Sequence, residues 1–153
     1  MLLEEQDRAL WDRSRIDEGL RVLDRAVALR RPGAYQLQAA IAALHARART
    51  PGETDWPQIV ALYGALEEVT GSPVVSLNRA VAVAMSAGAG AGLVEVERLS
   101  GLDDYHLLHA TRADLLRRLE RHEEAAAAYR RALELATNPV ERRFLERRLR
   151  EVA

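Results

Sequence analysis

The feature that most constrains this 153-residue chain is an internal period. Leu23, Tyr63, Val96 and Tyr129 are separated by 40, 33 and 33 residues. The same intervals link Gly19, Ile59, Gly92 and Ala125, and again Ala26, Leu66, Leu99 and Ala132. In the segment preceding each of these, Ala40, Ala80 and Ala113 are separated by 40 and 33. All four intervals of 40 cross Arg49–Asp55, so one insertion of about seven residues there restores a constant period. A period of this length marks a chain built from repeated supersecondary units, none of which covers its own apolar face.

Each unit reads as helical. Apolar residues recur at three and four rather than alternating, as in Ile16, Leu20, Leu23, Val27, in Leu37, Ile41, Leu44, and in Ile59, Leu62, Leu66, Val69. Pro32-Gly33, Pro51-Gly52, Gly71-Ser72-Pro73, the run Gly88–Gly92 and Asn138-Pro139 divide these stripes. Ser72 and Asn138 suit N-caps, each with proline at the first helical position, and Asp55 precedes Gln58 in a capping-box-like arrangement. The pattern predicts helices over 3–12, 14–30, 35–48, 56–69, 74–87, 91–99, 105–119, 122–136 and 139–151. Gly88–Gly92 reads as a flexible turn, since no strand precedes it and no lysine follows to make a phosphate loop.

Small residues at Ala40, Ala80 and Ala113 and at Gly19, Gly92 and Ala125 let paired helices approach, while Leu23, Tyr63, Val96 and Tyr129 fill the groove between pairs. The expected architecture is all-α: a single domain over 1–153 forming a right-handed α-solenoid. Residues 1–30 make an N-terminal helical lead-in, 35–136 the helix pairs, and 139–151 a C-terminal capping helix whose Phe144, Leu145 and Leu149 cover the last pair.

Composition narrows the function classes. Formal net charge is −1 and there is no cysteine, which argues against a generally basic nucleic-acid surface and removes disulfides and thiolate metal sites. All 22 basic residues are arginine, as expected of a high-GC bacterial genome. No signal peptide and no membrane-spanning run is visible, so the expected compartment is the cytoplasm.

Ala113–Leu135 resembles a tetratricopeptide repeat: Ala113, Leu116, Ala125, Tyr129 and Ala132 match its small, large, small, aromatic, small pattern, although Glu120 stands where its turn usually has glycine. A wider resemblance rests on Leu2–Arg8, Trp11-Asp12-Arg13, Tyr35–Ile41, Asp55-Trp56, Ser72–Val75, Leu77–Val83, Tyr105-His106 and Glu141–Leu145. Together these look like the C-terminal tetratricopeptide-like extension of a group of bacterial extracytoplasmic-function RNA polymerase sigma factors. The resemblance implies a transcription factor whose extension contacts the sigma core, RNA polymerase or a small regulatory protein. No segment here can be the promoter-binding core, so the expectation is a domain excised from a longer sigma factor. The alternative is a free-standing adaptor holding a peptide or helix in a concave groove.

The candidate protein-binding residues follow from the period. Gln38, Asn78 and Thr111 each stand two residues before the small packing alanine, and Arg79 and Arg112 add fork-shaped donors suited to carboxylates or carbonyls. His106 and His109 share a helical face behind Asp103 and Asp104. They are expected to line the concave side, with one of the aspartates capping the helix; a metal-dependent enzyme at this pair is a distant alternative, since the His-Glu-x-x-His motif is absent. No catalytic residue, cofactor or metal is assigned, and direct contact with nucleic acid is not expected. The Arg-rich terminal helix reads as solvated, with Glu141, Glu146 and Glu151 offsetting its arginines. Leu2, Leu3 and Leu10 offer a face for a possible homodimer.

Overall fold

The computed structural model describes residues 33–153. The helices expected over 3–12 and 14–30, the environment of Trp11, the first members of the periodic columns and the leucine face at Leu2, Leu3 and Leu10 lie outside the described residues. Seven α-helices follow: α1 Ala34–Arg47, α2 Trp56–Thr70, α3 Pro73–Ala87, α4 Ala89–Glu97, α5 His106–Arg118, α6 His122–Leu135 and α7 Pro139–Val152, with a 3-10 turn at Pro51–Glu53. No strand occurs among the described residues, so the chain is all-helical there. Among the described residues, no helix is long and apolar enough to cross a membrane.

Helix starts carry the period. α2, α4 and α6 begin at Trp56, Ala89 and His122, steps of 33, while α1, α3, α5 and α7 begin at Ala34, Pro73, His106 and Pro139, steps of 39, 33 and 33. The surplus lies wholly in the connection between α1 and α2, which holds the 3-10 turn. Burial follows the same columns: Ala40, Ala80 and Ala113 are fully buried, as are Ile59 and Ala125, and Val96 and Tyr129 nearly so. Tyr63 and Leu99 are only half-buried. On α7 the position 33 residues after Ala113 is Glu146, and it is exposed.

By compactness the chain divides into residues 1–79 and 80–153, the boundary falling inside α3. In the first unit α1 packs on α2. Asp55 caps α2 by accepting the Gln58 N–H at 3.2 Å, and Gly71 closes it in the left-handed region at φ 60°. The Trp56 ring meets His45 edge to face at 5.2 Å, anchoring the inserted connection to the end of α1. Ser72 opens α3 through its backbone carbonyl, which accepts from Ser76 N–H at 3.2 Å.

In the second unit the glycine run corrects the sequence reading. Only Gly88 is a turn residue, at φ 101°, and the helix α4 already begins at Ala89. Gly92 is buried against α3: a Cβ there would lie 2.4 Å from Ala84 Cβ and 3.1 Å from the Ala80 carbonyl oxygen. The glycine serves close helix approach rather than flexibility, which the repeat columns imply and the local composition obscures.

α6 packs on α5 and α7 packs on α6. The turn between α5 and α6 is a Schellman closure, with Arg121 N–H donating to Leu116 O at 2.9 Å and Glu120 N–H to Arg117 O at 3.0 Å. Its left-handed residue is Glu120, at φ 60°, where most such turns place glycine. Asn138 caps α7, its Oδ1 accepting from Val140 N–H at 2.8 Å and Glu141 N–H at 3.3 Å. Arg142 reaches back to the end of α6, donating to Leu133 O at 2.6 Å and Ala136 O at 2.9 Å. It thereby satisfies carbonyls that a helix end leaves without partners.

Candidate protein-binding surface

In the first unit Gln38 on α1 and Asn78 on α3 are exposed. Arg79 is half-buried and lies along α2, where a Cβ on Gly64 would be 3.8 Å from its Nε. An open cavity of about 200 Å³ lies at the connection between α1 and α2. Two of its lining carboxylates brace that connection, Asp55 on Gln58 N–H and Glu53 on Arg49 N–H at 3.0 Å.

In the second unit the three candidate residues each link two elements. His106 Nε2 stands 2.9 Å from Glu141 Oε2, joining the first turns of α5 and α7. The nitrogen is buried and off the line of a hydrogen bond, so the contact is an ion pair formed when the imidazole is protonated. His109 Nε2 donates to the Asp103 carbonyl at 2.7 Å; because a carbonyl only accepts, that nitrogen carries the proton. Arg112 Nε donates to Glu97 Oε1 at 2.7 Å, tying α5 to α4. That pair is substantially exposed, so it is worth about 1 kcal/mol or less.

One expectation therefore changes. Neither Asp103 nor Asp104 caps α5; its N-cap is Tyr105, without a side-chain bond, while Asp104 Oδ1 accepts from Arg131 at 3.4 Å. His109 spends Nε2 on its own loop and His106 faces Glu141. Among the described residues no group of three or more His, Cys, Asp or Glu is arranged to hold a metal ion.

Helix phase explains the shift. The core side of α5 carries Leu108, Ala113, Leu115 and Leu116. His106, His109 and Arg112 lie along the margins of that side, and the opposite side presents Leu107, Thr111, Asp114 and Arg118 at spacings of four, three and four. Asp114 is held by Arg117 at 2.6 Å and Arg118 at 2.9 Å, and Arg118 also reaches Met85 Sδ at 3.7 Å.

Chemistry-led reading missed an apolar series. Tyr35, Val74, Leu107 and Val140 are 70%, 38%, 40% and 61% exposed. Each is the second residue of its helix, in α1, α3, α5 and α7 respectively. The signal was available in the 33-residue steps from Val74 to Leu107 to Val140.

On α7, Arg148 pairs with Glu151 at 3.0 Å and holds that carboxyl below its ordinary range by hydrogen bonding. Arg147 and Arg148 lie over the Phe144 ring at 5.3 and 5.4 Å. Glu141, expected to offset a neighbouring arginine, turns to His106 instead.

No family model matches the chain. An uncharacterised protein of Rhizobium meliloti (strain 1021) is 51% identical over 154 residues, covering all of this chain and 36% of that protein. The chain thus spans about a third of the length of the relative it matches.

Proposed function

We propose that this chain is a non-catalytic protein-interaction domain, of the tetratricopeptide-like kind, from an extracytoplasmic-function sigma factor. It acts in the cytoplasm by contacting the sigma core, RNA polymerase or a small regulatory protein, so changing how available the promoter-binding regions are. The observation that carries the interaction role is the exposure of an apolar side chain at the second position of α1, α3, α5 and α7, namely Tyr35, Val74, Leu107 and Val140, the last three 33 residues apart. A core that needed only stability would not leave a large apolar side chain exposed at one repeated position. The sigma-factor assignment rests on the sequence resemblance. The relative that is 51% identical over 36% of its length shows only that a chain like this one occurs within a longer protein.

A pull-down of RNA polymerase and of separately expressed sigma core regions with the 153-residue chain tests this reading. Retention of either target is the expected result. Retention of neither, with the chain folded by circular dichroism, shifts the assignment to an adaptor of other proteins.

A further inference from the structure

We propose that Leu107, Val140 and Phe144, with Arg147 at their edge, form a docking surface for an amphipathic helix whose apolar stripe is bordered by carboxylates. The inference deepens the interaction role above and rests on it for the identity of the natural partner, though not for the surface itself.

The surface lies within the second unit. His106 and Glu141 meet at 2.9 Å across the first turns of α5 and α7. Their chain neighbours Leu107 and Val140 stand outward there, with large exposed fractions. Phe144 follows one turn after Val140 and is partly exposed. Asn138 fixes the start of α7 and Arg142 fixes that helix on the end of α6. The apolar groups are therefore mounted on braced backbone, which lowers the ordering cost of binding.

Charge selects the occupant. Two carboxylates near this face are already engaged, Asp114 with Arg117 and Arg118 and Glu151 with Arg148, while Glu141 is turned toward His106 at 2.9 Å. Arg147 forms no ion pair within 4 Å among the described residues; it lies over Phe144 and acts on Glu151 only at longer range. A partner that covers Val140 and Phe144 meets that guanidinium, and a carboxylate on the partner completes its pairing. Packed helices sit roughly 10 Å apart, which matches apolar residues seven apart on a helical ligand at about 1.5 Å per residue.

The probe is a fluorescein-labelled designed helix with a leucine stripe flanked by glutamates, titrated by anisotropy into the full chain beside a twin carrying lysines. The glutamate peptide is expected to bind about tenfold more tightly than its twin. Leu107→Asp and Val140→Asp should each weaken it by about tenfold, and Arg147→Glu should reverse the preference between twins. Val69→Asp, an equally exposed change on α2, should leave binding intact and controls for folding. Equal affinity for the twins, or indifference to Leu107→Asp, overturns the proposal. Should a chain carrying both Leu107→Asp and Val140→Asp still retain RNA polymerase or the sigma core, this surface fails and the sigma-factor role stands. Should wild type bind the glutamate peptide but neither target, the surface stands and that role fails.

Discussion

Gly92 meets Ala84 so closely that a methyl group on the glycine would lie 2.4 Å from the alanine Cβ and 2.9 Å from its Cα. The alanine methyl is fixed directly to the backbone and has no rotamer by which to swing aside. Gly92→Ala should therefore destabilise by about 1–3 kcal/mol through overpacking, despite alanine's better helix propensity. Gly90, two residues earlier in the same helix, has open space around its Cα. Gly90→Ala should stabilise by about 0.5–1 kcal/mol. Urea denaturation of both variants checks the pair; matching signs would refute the close approach of α3 and α4.

Glu120 occupies the left-handed position of the α5–α6 turn at φ 60°. An L side chain there costs about 1–2 kcal/mol, offset in a glycine replacement by the greater freedom of the unfolded chain. Glu120→Gly should raise stability by about 0.5–1 kcal/mol, read as a higher melting temperature. A lower melting temperature would contradict the Schellman geometry.

Arg142 donates to two carbonyls at the end of α6. Arg142→Ala should cost about 1.5–3 kcal/mol, the range for hydrogen bonds made by a charged group. Arg150→Ala, an exposed change on the same helix, should stay within about 0.5 kcal/mol of wild type. Equal effects in chemical denaturation would show that Arg142 contributes only charge.

Tyr129 predicts an alkaline limit. Burial pushes its phenol above the ordinary value, Asp114 adds to the rise, and Arg117 and Arg148 oppose it; burial acts on Tyr63 in the same direction. Above about pH 10 the unfolded chain releases phenolic protons that the folded chain retains. Stability is thus fully present below that pH and is lost as pH rises toward the folded value. With no lysine or cysteine in the sequence, tyrosine is the side-chain type whose ordinary value falls in that range. Melting temperature should fall above about pH 10, and less steeply in Tyr129→Phe. At neutral pH that variant should match or slightly exceed wild type, because the Tyr129 hydroxyl is buried beside Arg117 without completing a hydrogen bond.

Helix boundaries were readable because punctuation and stripe coincide: Pro73, Pro139 and Asp55 begin helices within a residue of the expected starts. Gly92 was not readable locally, because glycine spacing alone cannot tell a turn from a close crossing; only its alignment with Ile59 and Ala125 could. Among the candidate binding residues, Gln38 and Asn78 are on exposed faces, but His106, His109 and Arg112 fall at the margins of the buried side of α5. Polar groups at the margin of a buried stripe find partners within the protein, as these do in Glu141, Asp103 and Glu97.

Glu146 sets a directional limit on growth. Any helix laid against that side of α7 in the manner of the earlier pairs would have to strip water from a carboxylate where three alanines elsewhere offer none to strip. Lengthening the array by duplicating a pair after α7 would first require an uncharged residue at 146. A second copy of the protein packed against this side would meet the same desolvation cost at Glu146.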